Sequence, residues 1–151
     1  MKFMPRLYKD DDFTLLVVLW RIAREKSTPD FQRRKGHFFY EDVAYFRENI
    51  LVENTVWVVD DEQDRPVAFM AIKDDFIDHL YVHPDHWRKG IGGELIRFAQ
   101  TLSPQHLWLY TLQDNVNARA FYEKKGFVVT KLGISPSPEN EPDVKYEWFV
   151  K

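Results

Sequence analysis

The sequence contains no cysteine, which excludes disulfide frameworks, thiolate metal sites and a cysteine nucleophile. It has only 6 glycines and 8 prolines in 151 residues, too few for a collagen-like or Gly/Pro-rich disordered chain. It also lacks an excess of basic residues, since 21 Lys and Arg stand against 24 Asp and Glu, a formal net charge of −3. Because nucleic-acid binding favours a basic face, we expect no nucleic-acid partner.

Long hydrophobic runs are missing as well. The longest apolar stretch, residues 13–20, is far shorter than the ~20 residues that a membrane crossing requires. It follows Asp10–Asp12, an acidic flank that is wrong for a secretory signal. We therefore expect a cytoplasmic protein with no membrane partner.

What the chain does have is enough apolar sequence for one core. Hydrophobic residues make up 44% of the 151 residues, which suits a single domain spanning residues 1–151. Aromatic residues are abundant, with 12 Phe, 7 Tyr and 5 Trp to pack a core or line a pocket.

Hydrophobic periodicity indicates an α/β domain. Helices are predicted at residues 13–25, 40–52, 90–102 and 115–125. Strands are predicted at Thr55–Asp60, Pro66–Lys73, Phe76–Val82, 106–111, 127–131 and 144–150. Residues 32–37 are predicted to be a polar connector, and 135–143 a Pro- and acid-rich loop.

The most informative segment runs from the strand ending at Val82 through a glycine-containing turn into a helix. The first amides of a helix have no internal partners, so together with Arg88 and Lys89 they could hold a phosphate. Glu94 and Leu95 exclude both the GxxxxGK[ST] loop and the GxGxxG fingerprint. The alternative is a plain strand-to-helix turn with solvated cations.

A second motif lies at residues 115–127. Asn115, Ala118 and Tyr122 are spaced i, i+3 and i+7, so they share one helical face. The small Ala118 leaves room for a thin ligand between a polar anchor and a phenol. Taken alone, Tyr122 could equally be a half-buried packing residue.

Together these segments resemble the GNAT superfamily of acetyl-CoA-dependent N-acetyltransferases. Val82 and Pro84 fit the end of the family's strand, and Gly90 and Gly92 match the glycines of [QR]-x-x-G-x-[GA]. Trp87 departs from the pattern, because it stands where the family usually has Gln or Arg. The N-x-x-A-x-x-F-Y-x-x-x-G-F helix is matched at Asn115, Ala118, Phe121, Tyr122, Gly126 and Phe127. The resemblance covers roughly residues 55–150.

The resemblance implies a mixed, mostly antiparallel central sheet flanked by about four helices, with central strands that splay apart. It also implies acetyl-CoA as cosubstrate, gripped mainly by main-chain amides. The expected coenzyme-binding residues are Leu80, Tyr81, Val82, Trp87, Arg88, Lys89, Gly90, Ile91, Gly92, Gly93, Asn115, Ala118, Phe121 and Tyr122. No metal is expected, because the histidines lack the helical i, i+4 spacing of a zinc site.

Two catalytic residues are expected from this resemblance. Tyr122 is predicted to donate a proton or hydrogen bond to the departing thiolate. Asp78 is predicted to be the base, because it shares strand parity with Leu80 and Val82. His79 points the opposite way in a regular strand, although a bulge would change this count. A chain of water molecules could also replace a dedicated base.

The acceptor is expected to bind between the N-terminal helices and the loop before the last strand. Substrate-binding candidates are Trp20, Phe39, Phe46, His79 and Tyr110, with Phe38, Tyr40, Glu139, Glu141 and Asp143 nearby. Aromatic walls near carboxylates suit an ammonium group. Alternatively, these aromatic residues are core and the acidic residues a solvated rim.

We therefore predict an N-acetyltransferase acting on a primary amine of a small molecule, amino acid or peptide, by direct attack in a ternary complex. The alternative is a catalytically silent acyl-CoA-binding regulatory module. A homodimer is compatible with either function.

Overall fold

The computed structural model describes residues 3–151, which form one seven-stranded sheet in the order β1-β2-β3-β4-β5-β7-β6. Neighbouring strands are antiparallel except β4 and β5, which are parallel. The strands are β1 Arg6–Leu7, β2 Thr55–Asp60, β3 Pro66–Lys73, β4 Phe76–Val82, β5 His106–Leu112, β6 Val128–Ile134 and β7 Pro142–Phe149. The predicted mixed, mostly antiparallel sheet is confirmed, with the short β1 added at its edge.

The helices are α1 Phe13–Ser27, α2 Pro29–Lys35, α3 Phe39–Tyr45, α4 Leu51–Glu53, α5 Ile91–Leu102 and α6 Val116–Lys124. A π-helical turn, Phe46–Ile50, joins α3 to α4, so these three elements form one continuous helical segment. None of the helices in residues 3–151 is long and apolar enough to cross a membrane.

The prediction of a polar connector at residues 32–37 is wrong, because most of these residues belong to α2. Pro29 does end α1, but it also occupies the first turn of α2. Proline is well tolerated there, since the amide that it lacks would have no helical partner. The first half of the chain thus has one more helix than predicted.

Helices pack on both faces of the sheet and enclose two apolar clusters. One cluster contains Leu95 and Ile96 of α5 with Tyr122 of α6. The other, on the opposite face, contains Leu16 and Trp20 of α1 together with aromatic and aliphatic residues of the continuous α3–α4 segment and β3. The Asp10–Asp12 turn precedes α1, and its Asp12 is bound by Arg6 at 2.8 Å rather than capping the helix.

The parallel strands β4 and β5 meet at a single register pair, Phe76 opposite Trp108. Beyond that pair the two strands diverge, which confirms the predicted splay of the central strands. The divergence leaves one side of β4 without a strand partner, and the site is built around this opening.

Candidate active site

The open side of β4 presents main-chain groups to the gap. The amide of His83 donates to the carbonyl of Val67 at 2.8 Å, so His83 and Tyr81 direct their main-chain groups toward β3. In an antiparallel pair the alternate residues face the other way, which turns Leu80 and Val82 toward the opening. An added extended ligand could pair with them as a strand would.

The side chain of Trp87 already forms a hydrogen bond with one of these main-chain groups. Its indole Nε1 donates to the carbonyl oxygen of Val82 at 2.7 Å. The residue that departs from the family pattern therefore ties the turn to the end of β4. This leaves the Val82 amide and both main-chain groups of Leu80 free on the open side.

The turn after β4 forms a cradle of amides. Arg88 and Gly90 adopt positive φ angles of 64° and 86°, which turn the chain sharply into α5. The amide of Glu94, which donates to the Gly90 carbonyl at 3.0 Å, is the first in α5 to find an acceptor. The amides of residues 88–93 have none within the described part of the chain, so they can bind an anion.

The glycines of this turn also allow two helices to approach each other. A Cβ on Gly92 would lie 3.0 Å from Cζ of the Phe121 ring, and one on Gly93 would lie 2.9 Å from Nζ of Lys125. Both neighbours belong to the second motif, at α6 and its end. The space beside Gly92 is thus filled by Phe121, so this glycine serves helix packing as well as access to the amides.

The second motif places Tyr122 beside the open strand. Asn115 caps α6, since its Oδ1 accepts a hydrogen bond from the Ala118 amide at 3.2 Å. The buried Tyr122 ring packs against Phe121 and Phe127, while its hydroxyl makes no hydrogen bond within residues 3–151. Burial, helped by the nearby Tyr81, raises the pKa of Tyr122 above its ordinary value.

A cleft of about 490 Å³ lies on the face of β4 that carries His79 and Tyr81. It is lined by Trp20, Arg24, Ser27, Thr28, Phe31, Gln32, His37, Glu41, Asp42, Tyr45, His79, Tyr81, Tyr110, Thr111, Leu112, Asn115, Ser135, Pro138, Glu139 and Asp143. Of the five predicted substrate-binding residues, Trp20, His79 and Tyr110 are among these. Phe46 is instead 0% exposed in the core, and Phe39 does not line the cleft.

The predicted base, Asp78, lies at a bulge. His79 pairs with Ala71 and Ile77 with Ile72, so Asp78 has no partner in β3. Its Oδ2 accepts a hydrogen bond from Asn54 Nδ2 at 2.9 Å and lies 3.5 Å from Nε2 of His79. Asp78 does not line the cleft, whereas His79 does.

Burial lowers the pKa of His79, and Arg24 acts in the same direction, although Asp78 opposes both. The buried Nε2 of His79 has no hydrogen-bond partner among the described residues. A neutral imidazole beside the cleft can accept a proton, which makes His79 as much a candidate base as Asp78.

Comparison with known proteins agrees with this geometry. Residues 53–129 match the family described as acetyltransferase (GNAT) domain. The peptidyl-lysine N-acetyltransferase YjaB of Salmonella typhimurium is 34% identical over 115 residues, which cover 76% of this chain and 76% of YjaB. The chain belongs to the GNAT acetyltransferase family. It is therefore an acyltransferase that transfers acetyl groups.

Solved structures show the same GNAT fold. The solution structure of apo YjaB from Escherichia coli covers 100% of both chains, with a TM-score of 0.82 and 26% identity. The PaiA N-acetyltransferase of Thermoplasma acidophilum, solved in complex with coenzyme A, has a TM-score of 0.72 over 99% of both chains. At 16% identity, that second similarity shows the fold alone.

Several residues of this GNAT cleft could not be recognised from the sequence. Tyr45 stacks on Trp20 with ring centroids 5.9 Å apart, and the Arg24 guanidinium lies 3.8 Å from the Trp20 ring. The His79 ring meets the same indole edge-on at 5.8 Å. The spacing of Trp20 and Arg24, i and i+4 on α1, was the one available signal that they share a face.

Carboxylates also surround the cleft of this GNAT chain. Glu139 and Asp143 line it as expected, and Glu41 and Asp42 of α3 join them. Glu141 does not line it, because it pairs with Arg34 of α2 at 2.9 Å. No group of three or more His, Asp or Glu side chains in residues 3–151 is arranged to hold a metal ion.

Proposed function

We propose that this chain transfers the acetyl group of acetyl-CoA to a primary amine by direct attack in a ternary complex. The best acceptor is the side-chain amine of a lysine in a peptide. The observation that carries the proposal is the juxtaposition of the free amides of residues 88–93 with an aromatic, carboxylate-rich cleft across β4. The YjaB relative, described as acting on peptidyl-lysine, supports the choice of acceptor.

The residues present fit acetyl-CoA. The amides of residues 88–93 would hold its diphosphate, and Arg88 and Lys89 would add positive charge. Leu80 and the Val82 amide would pair with its pantetheine arm on the open side of β4. When bound, acetyl-CoA supplies the acetyl group as a thioester with a thiolate leaving group.

His79 and Asp78 form the base in this proposal. The amine must lose a proton before it attacks, and His79 is the neutral acceptor on the cleft wall. Asp78, whose Oδ2 lies 3.5 Å from Nε2, orients the ring electrostatically and favours the tautomer with its proton on Nε2, which leaves Nδ1 to accept a proton from the amine. Asp78 therefore acts through His79 as a positioning residue.

Tyr122 has the complementary role at the leaving group. Its buried phenol is protonated at neutral pH, since burial raises its pKa. Full proton transfer from such a phenol to a thiolate of ordinary pKa, ~8.5 for a cysteine-like thiol, is uphill. We therefore assign Tyr122 a strong hydrogen bond to the departing sulfur rather than complete protonation.

The test is thiol release from acetyl-CoA with a lysine peptide as acceptor. Tyr122→Phe should lower kcat about 100-fold while coenzyme A binding is retained, because only the hydroxyl is lost. His79→Gln should lower kcat by a similar factor and remove the dependence of the rate on the histidine's titration. Asp78→Asn should show a smaller loss, as expected for a positioning residue.

The opposing result is coenzyme A binding without amine-dependent thiol release from any of a panel of peptides, amino acids and polyamines. That outcome would assign the chain to the silent acyl-CoA-binding alternative. Unchanged turnover in Tyr122→Phe would instead leave the transferase standing and remove Tyr122 from the mechanism.

A further inference from the structure

Three consecutive aromatic side chains project into solvent at the start of α3. Phe38 is 69% exposed, Phe39 43% and Tyr40 71%, and none belongs to either buried cluster. Large contiguous exposed apolar patches commonly mark interaction sites. We call Phe38, Phe39 and Tyr40 the aromatic rim.

The aromatic rim is held in a fixed shape. The rings of Phe38 and Tyr40 stack with centroids 5.8 Å apart and planes inclined by only 8°. The Phe38 amide donates to Oε1 of Glu41 at 2.8 Å, which caps α3. Arg21 of α1 donates to the carbonyl of His37 at 2.8 Å and fastens the segment to the body of the protein. A preformed surface costs a partner little ordering on binding.

The aromatic rim adjoins the acceptor cleft. His37 and Glu41, which flank it in sequence, both line that cleft. Phe38 also lines a smaller cavity of about 200 Å³. The two cavities share Arg24, Gln32 and His37. A substrate that enters the cleft on this side would pass over the rim.

The cleft itself admits only part of a large substrate. Its volume of about 490 Å³ accommodates a side chain but no folded segment. Arg34 of α2 binds Glu141 of the β6–β7 loop at 2.9 Å, and Lys35 binds the carbonyl of Glu139. Because these contacts join two walls of the cleft, the body of a protein substrate must stay outside, against the surrounding surface.

We infer that the aromatic rim docks the polypeptide that carries the acceptor lysine, by contacting an apolar side chain close to that lysine in sequence. This inference rests on the proposed function, and it adds a sequence preference to it. Glu41 and Glu139 at the cleft suit the lysine ammonium, while the uncharged rim suits an apolar neighbour. A small free amine fits within the cleft, whose lining does not include the rim residues.

The test compares two acceptors. One is a peptide in which the lysine has an apolar neighbour, and the other is a minimal acceptor, lysine blocked at its α-amino and α-carboxyl groups with its side-chain amine free. In the double variant Phe38→Ser/Tyr40→Ser we expect kcat/KM for the peptide to fall about tenfold. For the minimal acceptor it should stay within about twofold. The matched control is Val128→Ser/Leu132→Ser, two exposed apolar residues of the edge strand β6, which should leave both values unchanged.

Equal loss on both acceptors, or no loss on the peptide, would overturn the docking role. Binding of the same peptide with its lysine already acetylated, measured by fluorescence anisotropy, tests the rim without turnover. If the wild-type protein acetylates no amine but the rim variant still weakens this binding, the proposed function fails and the docking surface stands. If the wild-type protein acetylates the minimal acceptor but does not bind the acetylated peptide, the docking surface fails alone.

Discussion

The open edge of β4 and the turn that follows it, here called the donor side, are constructed differently from the cleft on the face that carries His79 and Tyr81, here called the acceptor side. The donor side consists largely of main-chain groups from one continuous stretch, residues 80–93, supported by α6. The acceptor side is assembled from side chains of α1, α2, α3, β4, β5 and the β6–β7 loop, which are far apart in sequence. A main-chain site tolerates variation in side chains, whereas a side-chain site changes with each substitution. If acetyl-CoA and the acceptor bind as proposed, the shared family activity would therefore reside on the donor side, and the choice of acceptor on the acceptor side.

The largest effect is expected from removing a buried charge on the acceptor side. Asp42 is 1% exposed and lies 2.9 Å from Arg21 and 2.5 Å from Arg24. Asp42→Ala should reduce the free energy of unfolding by about 3 kcal/mol, because it leaves partly buried guanidinium groups without a partner. Urea unfolding measures this change.

An exposed ion pair provides the control for Asp42. Asp30 pairs with Arg33 on the surface of α2, so Asp30→Asn should change the free energy of unfolding by less than about 0.5 kcal/mol. Similar losses in the two variants would show that the buried ion pair of Asp42 stabilises the fold no more than an exposed pair does.

On the donor side we expect stability to be lost through disturbed packing rather than through a lost charge. In Gly92→Val the new side chain meets the Phe121 ring, since even a Cβ would lie 3.0 Å from it. We expect a loss of about 2 kcal/mol in the free energy of unfolding, together with weaker coenzyme A binding. Thermal unfolding with and without coenzyme A measures both quantities.

A double-mutant cycle isolates this contact. If the overlap with Phe121 is the cause, Gly92→Val should cost less in a Phe121→Ala background than in the wild type. Equal costs in both backgrounds would place the damage elsewhere in the turn.

This contrast also explains what the sequence could predict. Gly90, Gly92, Asn115 and Tyr122 belong to local motifs whose spacing is set by a single turn or helix, so α5, α6 and the position of the turn between β4 and α5 were predicted correctly. Phe46 could not be placed, because a buried aromatic residue and a cleft residue have the same helical spacing. Its full burial becomes apparent only after α1 and β3 have packed against it.

The positions of Asp78 and His79 relative to the cleft were equally inaccessible to a count of strand parity. The acceptor cleft lies on the face of β4 that carries His79 and Tyr81, opposite to Leu80 and Val82. Which face of a strand borders a cleft depends on the helices that cover it, and α2 had been predicted as a connector.

A third prediction concerns His106, which lies near the single register pair that joins β4 to β5. His106 of β5 lies 2.8 Å from both Asp75, in the turn before β4, and Glu147 of β7, next to the single β4–β5 pair. Burial alone would lower the pKa of His106, but the hydrogen bonds to Asp75 and Glu147 raise it overall. His106→Gln should reduce the free energy of unfolding by about 1 kcal/mol at pH 6.

The pH dependence of that loss follows from the direction of each shift. A raised histidine pKa stabilises the fold fully below the unfolded value of about 6.5, and the stabilisation disappears as pH rises through the folded pKa. The pKa values of Asp75 and Glu147 are lowered, so their contribution is present above about pH 4 and is lost in acid. Unfolding of wild type and His106→Gln at pH 6 and pH 9 should therefore differ more at pH 6. A difference that grows with pH would contradict this assignment.

The smallest effect on stability is expected at the contact between α2 and the β6–β7 loop. Glu141→Gln removes the charge that binds Arg34 at 2.9 Å and Lys35 at 3.6 Å. Because Arg34 is exposed and Lys35 is partly exposed, the free energy of unfolding should change by less than about 0.5 kcal/mol. If this contact holds the walls of the cleft together, KM for a lysine acceptor should still rise about threefold, while the affinity for coenzyme A on the other side of β4 is unchanged. High salt should raise the wild-type KM in the same direction, since it screens an exposed ion pair. An equal change in coenzyme A affinity would show that the cleft and the amides of residues 88–93 are coupled.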